Sequence, residues 1–198
     1  MQSTQNQTLM DAIKVDHAEI NSYYNEFCKA TGNLDLQQRW ANQLTWEVAR
    51  HAVGEELVAY PLFEKHLGEN GRDMADSDRA EHQAVKERLY KLEKLKVGTD
   101  EFNTTLKDVM GLLHQHIQSE EQNDLPALES AMGNDASIKA ATSFRRTKKF
   151  APTRAHPSAP DKGPFETVTG LLTAPIDKLR DMFTKFPTAE MKQQAGKT

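Results

Sequence analysis

The chain has a single cysteine, Cys28, among its 198 residues, and it has no long uninterrupted apolar run. One thiol excludes an internal disulfide and also a metal or iron–sulfur site built from cysteines. The apolar runs are all shorter than the roughly 20 residues of a membrane-spanning helix. The first residues also lack the apolar core of a secretory signal and the arginines of a transit peptide, so we expect a cytoplasmic protein.

A strong excess of charge of one sign is missing as well, since the formal net charge is -4 and the pI is near 6.0. Nucleic-acid-binding domains usually carry a strongly basic face, so we expect no nucleic-acid partner. The length suits one compact domain followed by a tail, because single domains typically have about 100–150 residues.

Glycine and proline are sparse before residue 135, and the segments between them have the three- and four-residue hydrophobic spacing of amphipathic helices. We predict four helices at about residues 8–31, 35–66, 76–97 and 100–132, with Asp35 as the amino-terminal cap of the second. Short connections favour antiparallel neighbours. The predicted fold is all-α, an antiparallel up-down-up-down four-helix bundle in a domain of residues 1–135.

One pattern occurs twice, as HAVGEELVAYP at residues 51–61 and as HIQSEEQNDLP at residues 116–126. Each stretch has a histidine, three residues, two glutamates, four residues and a proline. His17 and His82 have the same offset of 65 residues, and each follows an acidic residue, Asp16 or Glu81. A duplicated helical hairpin accounts for the common offset.

The predicted core stripes contain ionisable residues that should point into the bundle. Residue i+4 of an α-helix lies about 40° round and about 6 Å along from residue i, so a histidine and a glutamate at this spacing face one site. Uncompensated carboxylates in a core cost roughly several kcal/mol, which bound metal cations would offset. Imidazole suits iron, zinc, copper and manganese. The candidate metal ligands are His17, His51, Glu55, His82, His116 and Glu120.

Four acidic neighbours of these residues are expected outside the ligand set. Glu56 and Glu121 lie five residues after their histidines and are rotated from them by about 140°, which favours a supporting or surface position. Whether Glu56 or Glu121 joins the ligand set is left open. Asp16 and Glu81 are expected either in solvent or in a hydrogen bond to a ligand. Three histidines fall outside the repeat and are expected at the surface: His66, His114 and His156.

These motifs resemble the hemerythrin-like HHE cation-binding domain, over residues 5–133. The motifs that carry the resemblance are Asp16-His17, His51-x-x-x-Glu55-Glu56, Glu81-His82 and His116-x-x-x-Glu120-Glu121. The resemblance implies a non-haem di-iron centre with four terminal histidine ligands. It also implies that Glu55 and Glu120 bridge the two iron ions. The affinity order of divalent metals keeps zinc and manganese as alternatives.

Two departures from the oxygen-carrying hemerythrins weaken the case for reversible oxygen carriage. Lys86 stands where those proteins have a second histidine on the third helix, and Glu120 follows His116 by four residues where they use an aspartate at five. The resemblance then favours a protein that binds or senses dioxygen, nitric oxide or iron.

Two further functions stay open at this point, and with them the question whether the protein is an enzyme. A di-iron oxidase or peroxidase would act on a small molecule such as peroxide, and Tyr24, Tyr60 and Tyr90 lie near the ligands in sequence. A structural zinc or manganese site is the other alternative.

The composition changes in residues 136–198. The basic, proline-rich stretch SFRRTKKFAPTRAHPSAPDKGP predicts an extended strap, and an amphipathic helix interrupted at Pro175 follows it. This tail resembles that of a fungal or plant-type branch of the family. We expect the helix to pack back onto the bundle, and docking on a membrane or a protein partner is the alternative. Its apolar side comprises Val168, Leu172, Ile176, Leu179, Met182, Phe183 and Phe186.

Overall fold

A computed structural model describes the backbone of residues 6–158 and 165–196, and the side chains of these ranges except 165–172. The described part of the chain is all-helical and has no strand. Two π-helical turns, Glu55–Ala59 and Glu120–Asp124, interrupt the α-helices. The α-helices are α1 Leu9–Lys29, α2 Leu34–Gly54, α3 Tyr60–Leu92, α4 Asp100–Ser119, α5 Leu125–Met132, α6 Asn134–Phe150, α7 Phe165–Asp181 and α8 Ala189–Ala195.

The first helices begin at side-chain caps. Thr8 and Asp11 form a capping box at the start of α1, where each side chain accepts a hydrogen bond from the other residue's backbone N–H. Asn33 caps α2 through its side chain, so the prediction of Asp35 as the cap is wrong by two residues. Asp35 instead places its negative charge in the first turn, where the helix dipole favours it.

The second and third predicted helices meet at Gly68. Its backbone has φ 64° and ψ -130°, a conformation that ends one helix and starts the next inside α3. The third predicted helix therefore begins directly after Gly68, several residues before the predicted start near residue 76. It ends at Leu92, earlier than predicted.

Both π-helical turns lie at the repeated motif, and each begins at a candidate ligand, Glu55 or Glu120. In each turn the backbone N–H of the residue after the turn donates to the carbonyl of that glutamate, five residues back. The proline that follows, Pro61 or Pro126, has no N–H to donate. A π-helical turn has a smaller rotation per residue than an α-helix, so adjacent side chains diverge less.

The hydrophobic core consists of two clusters with the ionisable residues between them. Cluster 1 contains the carboxyl-terminal part of α1 together with Trp40 of α2, Leu92 of α3 and Phe102 of α4. Cluster 2 contains the amino-terminal part of α1 together with Phe63 of α3 and Leu128 of α5. Consecutive helices of the predicted bundle thus contribute opposite ends to each cluster, as antiparallel neighbours do.

The tail departs from the prediction in two places. The basic stretch up to Phe150 is not an extended strap but the helix α6, which packs against α1 and α2. Pro175 lies inside α7 and does not interrupt it. The predicted division of the chain after residue 135 stays a prediction.

The apolar side of the predicted tail helix, which extends beyond the end of α7, is only partly buried. Phe186 lies beside the Trp46 ring, with ring centroids 6.5 Å apart. Four predicted packing residues are exposed, so the prediction that they pack on the bundle is wrong: Ile176, Leu179, Met182 and Phe183. Val168 and Leu172 lie outside the described side chains. Among the described helices, none combines the length and the apolar character needed to cross a membrane.

The contact between α2 and α6 provides a test of this packing. A Cβ atom at Gly54 would lie 2.7 Å from Cε2 of the buried Phe144 ring. We expect Gly54→Ala to lower the free energy of unfolding by about 1–3 kcal/mol through overpacking. Gly111→Ala in α4 is the control, because a Cβ there meets nothing within 4 Å and should be neutral or stabilising. Urea denaturation measures both, and equal effects would contradict the packing.

Candidate metal centre

Four buried histidines lie between the two core clusters, in two pairs. The rings of His17 and His51 have centroids 4.8 Å apart and are nearly perpendicular. The rings of His82 and His116 are 4.7 Å apart in the same arrangement, with their Nε2 atoms at 3.1 Å. The first pair joins α1 to α2, and the second pair joins α3 to α4. The two pairs correspond to each other at the 65-residue offset of the repeat.

Two glutamates lie between the histidine pairs. Oε1 of Glu55 is 3.1 Å from Nε2 of His51, and its other oxygen, Oε2, is 3.4 Å from Nε2 of His82. Oε2 of Glu120 is 3.4 Å from Nε2 of His17 and 3.9 Å from Nε2 of His116. Each carboxyl group therefore spans both pairs.

The other ring nitrogen of every histidine contacts a carboxylate. The Nδ1 distances are 2.8 Å for His17 to Glu121, 3.2 Å for His51 to Asp16, 3.0 Å for His82 to Glu56 and 2.9 Å for His116 to Glu81. Because an ionised carboxylate can only accept, Nδ1 carries the proton and donates. In a neutral imidazole held in this way the lone pair of Nε2 points to the centre, the tautomer that metal-binding histidines usually have.

These four hydrogen bonds form a closed ring around the bundle. An acid on each predicted helix holds the histidine on the next one, and Glu121 of the last holds His17 of the first. Glu56 is fully buried and accepts a hydrogen bond from Nδ1 of His82. Of the two positions expected for Glu56, supporting or at the surface, the structure therefore has the supporting one.

Several buried polar atoms of the centre have no hydrogen-bond partner among the residues that the structure describes. They are Nε2 of His17 and all four carboxyl oxygens of Glu55 and Glu120. Burial and the nearby charge of Glu120 raise the pKa of Glu55 well above its ordinary value. A buried polar atom without a partner costs about 1–3 kcal/mol, so the site is incomplete as a purely protein structure. A metal cation, which takes lone pairs from both residue types, fits these atoms.

The protonation of most of the histidines also suits a metal. Burial lowers the pKa of His17 and of His82 to about 4 and that of His51 well below 6.5. These three imidazoles are neutral at neutral pH, the form that binds metals. Burial would lower the pKa of His116 too, but its hydrogen bond to Glu81 and the charges of Glu120 and Asp78 raise it to about 9.

The ligand atoms form two groups that share one glutamate. In the first group, one nitrogen or oxygen atom from each of His17, His51 and Glu55 lies within 4.8 Å of the others. The second group consists of Glu55, His82 and His116 and meets the same limit. These groups contain five of the six candidate ligands, and the sixth, Glu120, has Oε2 3.4 Å from Nε2 of His17. Of the outlying histidines, His114 is exposed and bonds to Asn21.

Three further residues lie near the centre: Tyr60 and Lys86, which were singled out from the sequence, and Asp78, which was not. The Tyr60 hydroxyl lies 3.1 Å from Nε2 of His82. Asp78 is buried, with Oδ1 3.7 Å from Nδ1 of His116 and with its Oδ2 unpartnered. Its position four residues before His82, on the same helix face, was the available signal. Lys86 forms a 2.7 Å ion pair with Glu56.

An apolar cavity of about 40 Å³ lies beside the centre. His51, Glu56 and His82 form its inner wall, and residues of α2 and α3 such as Val48 and Leu89 form its sides. The segment of residues 152–156, together with Thr173 of α7, covers it. The cavity is thus lined both by residues of the candidate metal centre and by residues of the tail.

Comparison with known proteins agrees with this geometry. The hemerythrin HHE cation binding domain family matches residues 8–128. An uncharacterized hemerythrin-like protein of Schizosaccharomyces pombe is 52% identical over 179 residues, which cover 90% of this chain and 88% of that protein. The chain belongs to the hemerythrin HHE cation binding domain family.

A more distant relative is a DNA nickase of Nostoc, 22% identical over 144 residues. The shared stretch covers 73% of this chain but only 40% of the nickase. No solved structure matches the chain significantly.

We predict that the metal-free protein loses stability as the pH rises above neutrality. The pKa of Asp78 is raised from 3.8 to about 8, mainly by burial, and that of His116 from 6.5 to about 9. A raised pKa in the folded state stabilises at low pH, and this contribution is lost as the pH rises through the folded pKa. Urea denaturation should show the free energy of unfolding falling from pH 7 to pH 9, by up to about 1.4 kcal/mol per pH unit for each proton.

The lowered pKa values act in the opposite direction. The stability that neutral His17 and His82 contribute is lost as the pH falls from 6.5 towards 4. Asp78→Asn is the control, because it removes one of the two groups that titrate above neutrality and should flatten the alkaline slope. A metal-free protein that becomes more stable from pH 7 to pH 9 would contradict these assignments.

Proposed function

We propose that this protein binds two iron ions in a non-haem di-iron centre within an up-down-up-down four-helix bundle. The proposed ligands are His17, His51, Glu55, His82, His116 and Glu120. One observation carries the proposal: two buried carboxyl groups without hydrogen-bond donors lie between four imidazoles whose Nε2 atoms face them. Each histidine pair with Glu55 supplies a mixed nitrogen and oxygen set, which suits iron.

The proposed activity is the binding or sensing of dioxygen, nitric oxide or iron. Bound iron would supply open coordination positions and redox chemistry. The chain's own residues supply the rest: the outer carboxylates fix the orientation of the imidazoles, and clusters 1 and 2 exclude water from the centre. The apolar cavity beside His51 and His82 has the size and lining for a small uncharged molecule.

Iron stoichiometry tests the proposal. Metal-free protein given ferrous iron without oxygen should bind two ions per chain, and air should then produce charge-transfer absorption. Glu55→Gln should reduce the bound iron to one ion or fewer, because Glu55 belongs to both ligand groups. Glu69→Gln, at an exposed position, is the control and should bind two. Wild-type protein that binds no iron, or equal binding by both variants, would refute the proposed centre.

A di-iron oxidase or peroxidase is the second candidate, and the position of Tyr60 favours it. This buried hydroxyl lies 3.1 Å from Nε2 of His82, while its counterpart in the repeat is Leu125. A phenol beside one half of an otherwise repeated centre can deliver a hydrogen bond or a proton there. Tyr24 and Tyr90 are not placed in this way, since Tyr90 is exposed.

Tyr60→Phe distinguishes these two functions. If the protein is an enzyme, iron-loaded protein should consume many equivalents of peroxide, and the variant should lose about 10²-fold or more of the rate. Iron content should be unchanged in the variant. A single equivalent consumed by wild-type protein would favour binding or sensing instead.

A structural zinc or manganese site is the remaining alternative, because zinc binds more tightly than ferrous iron to most nitrogen and oxygen sites. Metal analysis of protein isolated from its own cells decides between these metals. Zinc or manganese in place of iron would replace the proposed cofactor while leaving the ligands as assigned.

A further inference from the structure

Lys148 is a buried lysine that lies outside the family region. It belongs to α6, beyond the residues 8–128 that match the family, and it is 7% exposed. Its ammonium donates hydrogen bonds to Oδ2 of Asp16 and, at 2.6 Å, to Oε1 of Glu47. Its backbone carbonyl accepts a 2.8 Å hydrogen bond from Nε of Arg50, which fixes the end of α6 against α2.

The ammonium lies at a group of three carboxylates. One oxygen from each of Asp16, Glu19 and Glu47 lies within 4.8 Å of the others, a spacing that can hold a cation. Asp16 and Glu47 are buried, whereas Glu19 is at the surface. Carboxylates this close repel each other unless a positive charge lies among them, and Lys148 supplies that charge.

The same ammonium is connected to the candidate metal centre. Oδ2 of Asp16, which Lys148 contacts, is also the acceptor for Nδ1 of His51 at 3.2 Å. One turn earlier on α6, the Phe144 ring packs edge-on against the His51 ring, with centroids 6.2 Å apart. Helix α6 therefore fixes His51 through a charged and an apolar contact.

The group of three carboxylates has no counterpart in the second half of the repeat. Glu19 and Glu47 correspond at the 65-residue offset to Ala84 and Leu112, neither of which is acidic. Glu81, the counterpart of Asp16, has a side chain that is 45% exposed and contacts His116. The carboxylate group and its lysine are thus specific to the first half of the centre.

We propose that Lys148 is a positioning residue that acts as a built-in cation. Its ammonium occupies a third cation position, formed by Asp16, Glu19 and Glu47, and closes that position to metal ions. By anchoring Asp16 it also holds His51 in place, and only this second role rests on the proposed function. The chain thereby confines metal ions to the histidine centre.

Calcium tests the first role, because it prefers oxygen ligands and avoids imidazole. In isothermal titration of the full, metal-free chain, Lys148→Ala should bind one calcium ion with a Kd on the order of 10⁻⁴–10⁻³ M. Wild-type protein should bind none. Lys149→Ala, which removes an exposed lysine next in sequence, is the control and should also bind none. Adding Glu47→Gln to Lys148→Ala should abolish calcium binding.

Lys148→Gln is the second variant, since it keeps a hydrogen-bond donor without the charge and should bind calcium even if Lys148→Ala does not fold. Calcium binding by wild-type protein, or none by Lys148→Gln, would overturn the proposal. Both results are independent of iron, so failure here differs from failure of the proposed di-iron centre.

A cobalt titration tests the second role. Lys148→Gln should weaken cobalt(II) binding at the histidine centre by about tenfold, the lower end of the effect of residues that support metal ligands. In an Asp16→Asn background the same change should have almost no further effect, because Lys148 acts through Asp16. Equal effects in both backgrounds would show that the lysine does not position His51. Wild-type protein that fails to bind cobalt would count against the metal centre itself, with the calcium result unaffected.

Discussion

The buried carboxyl groups of Glu55 and Glu120 impose the constraint on which the rest of the structure depends. Both are fully buried, and in the described part of the chain no other residue donates a hydrogen bond to their oxygens. Clusters 1 and 2 exclude water on either side, so the stabilisation must come from within the layer. The four imidazoles and the outer carboxylates are arranged so that a cation between them satisfies both groups at once.

The ring of outer hydrogen bonds explains why the motif involves all four predicted helices. Because each acid holds a histidine on the next helix, the orientation of every ligand depends on the packing of two helices. A duplicated hairpin generates such a ring, because two kinds of contact each occur twice. Asp16–His51 is repeated as Glu81–His116, and Glu56–His82 is repeated as Glu121–His17. The repeat is nevertheless broken where Tyr60 corresponds to Leu125 and Asp78 to Ile13. The two halves therefore have the same types of candidate ligand, but the residues around those ligands differ.

The sequence predicted the six inward residues because their evidence is local: an i+4 spacing and a fixed offset. The spacing left Glu56 either in a supporting position or at the surface, because the choice depends on contacts with another helix, here with His82 and Lys86. Lys148 was missed because its partner Asp16 lies 132 residues away. The helix α6 was misread because its basic residues suggested a solvated strap, although Ala140, Ala141 and Phe144 form an inward stripe.

The contribution of the tail follows from what it covers. Residues 152–156 cover the apolar cavity beside His51 and His82. Oδ2 of the buried Asp177 in α7 accepts hydrogen bonds from the backbone N–H of Thr153, at 3.1 Å, and from Nε2 of His156, at 2.9 Å. The lining on this side of the cavity thus comes from residues beyond the family region, whereas the candidate ligands all lie within it.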